Sequence, residues 1–512
     1  MEHNTPITAE QLDSFHKSAS GGTITGGMKR AKELLGASNI IKHEISMDLG
    51  KNQNIYTTIP NLSKYDIGSH VWIRARIHRI RIQAKMIFIV LRQETDTVQC
   101  IFVKSCHSED INNMVSNIVR ESIVDVYGIV KEARPIVKSC SVQHIEIDML
   151  HTNVVSTSAP ILPIQIDEHI YLQEKSKGND LEKESKLVTR LNNRVLDLRR
   201  ADNRFIFKIQ AEVTKIIRNF FDENNFIEIH SPKLIGAASE GGSNVFEVKY
   251  FGQNAYLAQS PQLYKQMAIC ADFPRVYEIG PVFRAEKSFT HRHLTEFTGI
   301  DLEMTFVEDY HEILDLFDVL FVNLFGKLRI KYGPAIEKFF QDFGVEPFEF
   351  VTPSVRITFK EAVTLLRESG IDMGDFEDFN TEKEKALGRI IKQKYHTDFF
   401  MVDQFPTEIR PFYTMPNKTN PLYSNSYDFF VRGEEILSGA QRINNYEMLL
   451  DSALNHGIDI SKITDYLESF KYGAPLHGGG GIGLERIVML YLGINNIRNV
   501  SLFPRDPMRI TP

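Results

Sequence analysis

The chain has 512 residues and a formal net charge of −7, and its 42% hydrophobic and 24% charged residues are typical of a globular protein. At about 150 residues per domain, this length predicts two to four domains. The net charge argues against a polycation that binds nucleic acid through bulk charge, although it leaves room for a local basic patch. The four cysteines form no CxxC pair, which excludes a cysteine-rich zinc motif and fits a reducing compartment.

The beginning of the chain is polar and lacks the basic start and apolar run of a signal peptide. No uncharged apolar stretch reaches about 18 residues, so we expect no membrane segment and a soluble, intracellular protein. Residues 1–60 include the small-residue stretch SASGGTITGG and predict a poorly ordered arm with a short helix at 28–35. The first fifty residues carry five Lys/Arg and six Asp/Glu, so the arm does not resemble an RNA-binding tail.

Residues 61–155 contain five short β-strand patterns, which together predict a small closed β-barrel. In the first, VWIRARIH at 71–78, apolar side chains alternate with Trp72, Arg74, Arg76 and His78. From Tyr65 to Lys104 there are seven Lys/Arg against three Asp/Glu. A basic, aromatic strand face suits single-stranded nucleic acid, and the alternative is an ordinary solvated strand surface.

Residues 156–200 combine a proline-containing stretch with a charge-dense one, so we interpret them as a hinge between domains. Residues 201–512 begin with a clear helix from Asn203 to about 223. Long strand patterns follow, with helices predicted at 308–328, 358–368 and 381–395. Strands separated by turns rather than by regular βαβ units predict an α+β domain, with an antiparallel sheet flanked by helices.

The glycine-rich stretch HGGGGIGLERIVML occupies residues 477–490. It satisfies GxGxxG, but no apolar strand precedes it and no GK[ST] follows, which argues against a dinucleotide fold and a P-loop. We interpret the glycines as allowing close approach of the backbone to a ligand at a helix start. Arg486, one turn into that helix, could lie over a flat ring or bind a phosphate; the alternative is a surface arginine.

A second chemistry-bearing stretch is the predicted hairpin at 275–304, in which a polar loop joins two strands. The side chains suited to a polyphosphate and a purine are Arg284, Glu286, Arg292, His293 and Phe297. Asp301 and Glu303 are two residues apart and therefore share one strand face. A surface ion pair could explain any one of these charges, but hardly all of them in one hairpin.

Three further stretches carry candidate site residues. In RGEEILSGAQR (432–442), Glu435 and Ser438 suit a hard divalent cation shared with phosphates, and Arg442 could reach the same site. The small-residue loop GAASEGGSNVF (236–246) contains Glu240 and could close over a ligand. AQSPQLYKQMA (258–268) offers Gln262 and Lys265 at the edge of a helix.

These motifs, in this order, resemble the class II (subclass b) aminoacyl-tRNA synthetases, specifically the eukaryotic or archaeal aspartyl-tRNA synthetase family. FIEIHSPKL with Pro232 is similar to motif 1 of the class, FRAEKSFTHRHLTEF to motif 2 and GGGIGLERIVML to motif 3. The resemblance covers about residues 60–512. It implies a ligase that activates L-aspartate with ATP, together with Mg²⁺, and transfers it to the 3′-terminal adenosine of tRNA-Asp.

The resemblance also implies roles for individual residues. Arg284, Arg486 and Glu435 would be catalytic, Glu435 and Ser438 would hold Mg²⁺, and Pro232 would lie in a homodimer interface. The residues implied for ATP binding are Arg284, Ala285, Glu286, Arg292, His293, Leu294, Phe297, Glu435, Gly483, Leu484, Glu485 and Arg486. Those implied for aspartate binding are Glu240, Gln262, Leu263, Tyr264, Lys265, Arg284, Ser438 and Arg442. The barrel would be an OB fold that binds the anticodon through Phe88, Gln99 and Glu146.

Lys265 and Arg442 are expected to pair with the side-chain carboxylate of aspartate. A neutral amide would leave two desolvated cations without a counter-charge, which favours aspartate over asparagine. Asp301 and Glu303 are expected on the ammonium and metal side of the substrate. The alternatives are an asparaginyl-tRNA synthetase and a non-catalytic RNA-binding paralogue, although both motif arginines are present. We expect a cytoplasmic enzyme.

Overall fold

The computed structural model describes residues 56–166, 187–236 and 245–512. The predicted helix at 28–35, the charge-dense part of the hinge from 171 to 186 and Glu240 lie outside the described residues. Within the described ranges, no helix combines the length and apolar character needed to cross a membrane.

Five strands form a closed barrel in the order β1-β2-β3-β5-β4, which confirms the barrel prediction. The strands are β1 His70–Ile82, β2 Met86–Gln93, β3 Asp96–Val103, β4 Ile123–Glu132 and β5 Ile145–Ser156. A short helix, α1 Glu109–Ser116, lies between β3 and β4, with Ser108 as its N-cap.

The alternation predicted for β1 is correct over most of its length. Val71, Ile73, Ala75 and Ile77 are at most 5% exposed and face the barrel core. The outward placement of His78 is wrong, because that side chain is only 4% exposed. The register with β2 shifts between Ile77 and Arg79, and such an irregularity reverses the inside-outside alternation beyond it.

A buried ion cluster joins the barrel to the segment after the hinge. Arg92 Nη2 donates to both carboxylate oxygens of Glu121, at 2.7 and 2.8 Å, and Arg199 Nη1 donates to the same carboxylate at 3.0 Å. Arg92 Nη1 also donates to the backbone oxygen of Arg199 at 2.8 Å. These bonds hold residue 199 against the barrel wall.

The remaining strands form two sheets. They are β6 Ile227–Glu228, β7 Leu234–Ile235, β8 Glu247–Tyr250, β9 Gln253–Leu257, β10 Arg275–Phe283, β11 Glu296–Thr305, β12 Val355–Thr358, β13 Phe399–Asp403, β14 Ser426–Val431, β15 Glu434–Gln441 and β16 His477–Gly483. The large sheet has the order β12-β13-β14-β15-β16-β11-β10-β6 and is antiparallel except at β12–β13 and β10–β6. Strands β7, β9 and β8 form a separate small sheet.

Helices flank the large sheet, which confirms the α+β prediction. They are α2 Arg194–Asp197, α3 Ala201–Glu223, α4 Gln262–Cys270, α5 His311–Phe343, α6 Phe359–Glu368, α7 Thr381–Tyr395, α8 Tyr446–Asn455, α9 Thr464–Ser469 and α10 Leu484–Tyr491. The largest apolar core lies where α3, α5 and α10 meet the sheet, and a second core lies where α6 and α7 meet β12–β14.

The predicted helix at 308–328 is too short, because α5 continues to Phe343. Pro334 lies inside α5, yet Ile336, Phe339 and Phe340 continue its buried face beyond the proline. The helix ends at Gly344, whose φ of 56° is the left-handed conformation that glycine adopts readily.

The 477–483 glycines form a strand, β16, in the middle of the sheet, which corrects the expectation that no strand precedes the predicted helix start. A Cβ atom added to Gly479 would lie 2.0 Å from the backbone oxygen of Leu302 in β11. Glycine at this position is therefore required by the close approach of two strands. Gly481 and Gly483, at the end of the run next to α10, border a ligand-sized cavity.

Candidate active site

A cavity of about 410 Å³ opens where the β10–β11 hairpin meets β15, β16 and the start of α10. The structure brings most of the predicted site residues together on its walls. The predicted residues that line it are Gln262, Arg284, Glu286, Arg292, His293, Leu294, Phe297, Glu435, Ser438, Arg442, Gly483, Glu485 and Arg486. Sequence patterns thus located one continuous site from four separate stretches of chain.

Five predicted residues lie outside this lining: Leu263, Tyr264, Lys265, Ala285 and Leu484. Leu263 packs against a separate apolar cluster, and Leu484 is part of the main core. The expectation that these two leucines contact the ligand directly is therefore wrong, and the reason is the geometry of the helix. Successive residues on a helix point about 100° apart, so a contiguous block cannot present every side chain to one cavity.

Four buried charges form the floor beside the cavity. Arg442 donates from Nε to Glu303 Oε1 at 2.8 Å and from Nη2 to Glu303 Oε2 at 3.1 Å. Lys265 Nζ lies 3.1 Å from Asp301 Oδ1 and 3.4 Å from Glu303 Oε2. Although burial opposes it, the two cations hold the pKa of Glu303 below its usual range. The floor is therefore a neutral cluster of two cations and two carboxylates.

This neutrality corrects two expectations. Asp301 and Glu303 do not lie apart on an ammonium and metal side; they are the counter-ions of Lys265 and Arg442. The charge argument for aspartate is also wrong as stated, because a neutral amide would not leave the two cations uncompensated. Arg442 nevertheless lines the cavity, and its hydrogen bonds to described residues use Nε and Nη2.

Two arginines stand on the walls above this floor. Arg284 directly follows β10, and its guanidinium carbon lies 5.6 Å from the centre of the Phe297 ring. Arg486 Nη1 donates to the backbone oxygen of Glu435 at 3.1 Å and lies 3.8 Å from the Glu435 carboxylate. Arg284, Phe297 and Arg486 all border the cavity, as a purine and polyphosphate site requires.

The loop between β10 and β11 is fastened to α7 and to β15. Arg292 Nη1 donates to Glu384 Oε2 in α7 at 2.6 Å, and His291 Nε2 lies 3.2 Å from Glu434 Oε1. Burial, with the nearby Arg486 charge adding to it, lowers the pKa of the His293 ring. A neutral His293 beside Arg292 can donate one ring N–H to an oxygen of a bound phosphate.

Glu485 lines the cavity, but its carboxylate is already used by the backbone. The Thr298 amide donates to both of its oxygens, at 3.0 and 3.2 Å. Burial raises the pKa of Glu485 to about 7. This hydrogen bond holds the start of β11, where Phe297 lies. Glu485 therefore helps to position the Phe297 ring.

Sequence reasoning missed two residues of the cavity region, Asp428 and Arg410. Asp428 in β14 is the register partner of Ser438 in β15. Arg410 donates from Nη1 to Ser438 Oγ at 3.0 Å and from Nη2 to Asp428 Oδ2 at 2.8 Å. An aspartate inside the apolar strand SYDFFV was the available signal for Asp428, whereas no local pattern marks Arg410.

Asp428, Glu435 and Ser438 form a candidate cation site on β14 and β15. Burial and the neighbouring Glu435 raise the pKa of Asp428, while Arg410 opposes the shift. Among the residues described, no three His, Cys, Asp or Glu side chains converge as a preformed metal centre would require. Two carboxylates and a hydroxyl fit Mg²⁺ held jointly with substrate phosphates, which is how nucleotide enzymes usually bind that ion.

The three predicted anticodon residues lie on adjacent barrel strands. Gln99 in β3 donates from Nε2 to Glu146 Oε2 in β5 at 3.2 Å, and the two are register partners. Phe88 in β2 is half-buried, and the Arg81 guanidinium carbon lies 4.6 Å from its ring centre. A half-buried ring beside a cation and an amide is the combination that a single-stranded base would meet.

This fold and cavity are those of a class II synthetase. Residues 186–507 match the family of class II tRNA synthetases (D, K and N), and residues 71–148 match the OB-fold nucleic acid binding domain. The chain belongs to the aspartate–tRNA ligase family within that class. The cytoplasmic aspartate–tRNA ligase of Bos taurus is 47% identical, over 94% of this chain and 95% of the relative.

Solved structures agree with this assignment. An aspartyl tRNA synthetase from Entamoeba histolytica superposes with a TM-score of 0.81 at 42% identity, covering 90% of this chain and 94% of that one. An asparaginyl-tRNA synthetase from Pyrococcus horikoshii, in complex with asparaginyl-adenylate, gives 0.76 at 28% identity, over 90% and 100%. The similarity is greater to the aspartyl enzyme in both measures.

Proposed function

We propose that this protein activates L-aspartate with ATP to aspartyl-adenylate and transfers the aspartate to the 3′-terminal adenosine of tRNA-Asp. The observation that carries the proposal is the single cavity with Arg442 at its floor and Arg284 and Arg486 on its walls. One end suits a carboxylate side chain and the other a polyphosphate. A cytoplasmic location belongs to the proposal, since the curated relatives carry that word in their names.

In the first step, the α-carboxylate of aspartate attacks the α-phosphorus of ATP, and diphosphate leaves. The protein contributes positioning and charge neutralisation rather than a covalent intermediate. Arg284 is placed to bind both the attacking carboxylate and the α-phosphate. Phe297 and Arg486 hold the adenine, and Arg292 and His293 face the outer phosphates. In the second step, a ribose hydroxyl of the terminal adenosine attacks the adenylate carbonyl carbon, and AMP leaves.

Mg²⁺ belongs to the proposal, with Glu435, Ser438 and Asp428 as the residues that would hold it. Bound there with ATP, the ion would neutralise phosphate charge during diphosphate release. A positive charge between the two carboxylates lowers the electrostatic cost that each like charge imposes on the other.

For the division of the chain, we propose an arm at 1–60, an anticodon-binding domain at 61–155, a hinge at 156–200 and a catalytic domain at 201–512. The barrel occupies the second part, and the cavity described above lies within the fourth.

The test is ATP–pyrophosphate exchange with the purified chain, measured separately with aspartate, asparagine and lysine. Exchange that depends on aspartate is the expected result. Exchange with asparagine alone would instead identify an asparaginyl enzyme, and no exchange with any amino acid would favour a non-catalytic RNA-binding protein. Charging of tRNA-Asp transcript in the same preparation completes the test.

Phe88→Ala is expected to reduce the rate of tRNA-Asp charging and to leave pyrophosphate exchange nearly unchanged. Loss of one base-stacking ring costs about 1–3 kcal/mol, which is roughly 5- to 150-fold in kcat/KM for tRNA. Activation of aspartate needs no anticodon contact, so the two assays separate binding of tRNA from chemistry.

The matched control is Tyr127→Ala, which removes a half-buried aromatic ring from β4 of the same barrel. That ring packs on Trp72 with ring centres 5.0 Å apart, away from the Gln99–Glu146 pair. Equal losses of charging in both variants would mean that Phe88 supports the barrel rather than the anticodon.

We also propose a homodimer whose interface includes the exposed Pro232. The supporting observation is a set of large apolar side chains exposed in and around β6–β9. These side chains are those of Ile227, Leu234, Phe246, Tyr250 and Phe251, and their exposed fractions range from 37% to 93%. Exposed apolar residues concentrated in one region of chain commonly mark a protein interface.

Sedimentation equilibrium is expected to give twice the 58.7 kDa chain mass at micromolar concentration. Phe251→Asp should shift the equilibrium towards monomer, since it places a charge in a desolvated contact. Ile330→Asp is the control, because Ile330 is 86% exposed on α5 and lies outside this region. A fully active wild-type monomer would contradict the dimer proposal.

A further inference from the structure

Arg410 is the cavity residue whose side chain is held most directly by the candidate metal ligands. Its side chain is 11% exposed and that of Asp428 is 8% exposed. Its Nη1 and Nη2 atoms donate to Ser438 Oγ and Asp428 Oδ2, and its guanidinium carbon lies 3.9 Å from the centre of the Phe405 ring. A cation thus already contacts two of the oxygens that the proposed metal would use, Ser438 Oγ and Asp428 Oδ2.

The surroundings of Arg410 carry excess negative charge. Asp428 interacts electrostatically with Arg410 and with Glu435. Asp378 interacts with the same two residues. Arg486 is a second cation near this group, with Nη1 3.8 Å from the Glu435 carboxylate. These three carboxylates outnumber the two arginines. A metal ion that used Ser438 Oγ and Asp428 Oδ2 would have to displace Arg410 from those two atoms.

We propose that Arg410 is a resident counter-ion that occupies the divalent-cation site until nucleotide arrives. A metal ion that binds Asp428 and Ser438 displaces the guanidinium, which then meets the phosphates of the incoming ATP within the same cavity. Metal alone is bound weakly, because it must compete with the Arg410 guanidinium. The metal–ATP complex is bound more tightly, because its phosphates provide a new partner for the displaced guanidinium. This inference rests on the metal site of the proposed function.

Two effects of opposite sign follow for Arg410→Gln. Removing a positive charge next to a bound divalent cation should tighten Mn²⁺ binding to the nucleotide-free enzyme by about tenfold or more. The same variant should bind Mg²⁺–ATP more weakly, by about fivefold or more, because one charge-assisted contact to phosphate is lost. A purely structural role for Arg410 would weaken both.

Mn²⁺ serves as the probe, and its unbound fraction is read by electron paramagnetic resonance with the full chain at constant ionic strength. Arg292→Gln is the matched control, since it removes the same charge from the same cavity but from a pair with Glu384. The double variant Arg410→Gln/Asp428→Asn should lose the gain in Mn²⁺ affinity. Unchanged or weaker Mn²⁺ binding in folded Arg410→Gln, or an equal gain in Arg292→Gln, would overturn the proposal.

A measurement on the wild-type enzyme covers the case in which Arg410→Gln does not fold. In crystals soaked with Mn²⁺, anomalous density beside Asp428 should accompany loss of the Arg410–Ser438 hydrogen bond. Mn²⁺ on Asp428 with both Arg410 bonds intact would overturn the proposal. Pyrophosphate exchange by the wild type distinguishes failure of this inference from failure of the proposed activity. Normal exchange without the expected changes in Mn²⁺ and Mg²⁺–ATP binding would refute only the role of Arg410. Those binding changes in an enzyme that shows no exchange would refute only the proposed activity.

Discussion

Replacement of Lys265 by methionine is expected to lower kcat/KM for aspartate by about 10²- to 10³-fold in pyrophosphate exchange. The ammonium lies between Asp301 and Glu303, and none of the three side chains is more than 9% exposed. Without it, two carboxylates share Arg442, so the floor of the cavity gains a net negative charge. That charge repels the carboxylates of aspartate, while asparagine, with a neutral side chain, should lose less.

The same variant should lower the free energy of unfolding by about 3–5 kcal/mol, because a buried carboxylate loses its partner. Lys265→Met/Asp301→Asn is the informative control, since the second change restores neutrality. If Lys265 acts through charge, the double variant should regain most of the stability and part of the aspartate activity. An aspartate-to-asparagine ratio of exchange rates equal to that of the wild type would show that Lys265 does not influence recognition of the side chain.

Arg284→Gln is expected to reduce kcat for pyrophosphate exchange by about 10²- to 10³-fold, with a smaller change in KM for ATP. The guanidinium borders the cavity beside Phe297, and in the proposed reaction negative charge increases there as the carboxylate attacks the phosphate. Glutamine retains hydrogen-bonding capacity but no charge, so the loss reports charge stabilisation.

Arg275→Gln provides the comparison for Arg284→Gln. Arg275 begins the same strand, β10, and donates to the backbone oxygen of Asn224 at 2.9 Å, away from the cavity. Its replacement should leave kcat within about twofold of wild type, since surface changes of this kind rarely exceed about 0.5 kcal/mol. Activity of Arg284→Gln equal to that of Arg275→Gln would exclude a catalytic role for Arg284.

The sequence predicted those features that depend on local pattern. Alternation gave the buried face of β1, and helical periodicity gave the bounds of α7 at Thr381–Tyr395. Patterns failed where tertiary contacts decide the outcome. His78 is buried because of a register shift, and the glycines of β16 fit a strand that lies unusually close to its neighbours.

In the cavity too, residues within short motifs were predicted, whereas contacts between distant parts of the chain were not. Arg284 and Arg486 were found because each lies in a short motif whose residue types suggest phosphate chemistry. The pairing of Asp301 and Glu303 with Lys265 and Arg442 depends on contacts across as many as 139 residues of chain, which no local spacing reveals. For the same reason Arg410 was missed, since only folding brings it to Asp428 and Ser438.

The contact between α7 and the β14–β15 hairpin has a consequence for movement during turnover. Gly388 in α7 faces Gly433 in the hairpin turn, where a Cβ atom on residue 388 would lie 2.4 Å from the Gly433 Cα. Such close packing leaves no space for sliding, so helix and hairpin move together. Because Glu384 of α7 also holds Arg292, the 284–295 loop is tied to the same unit, and any opening of that loop must first break this ion pair.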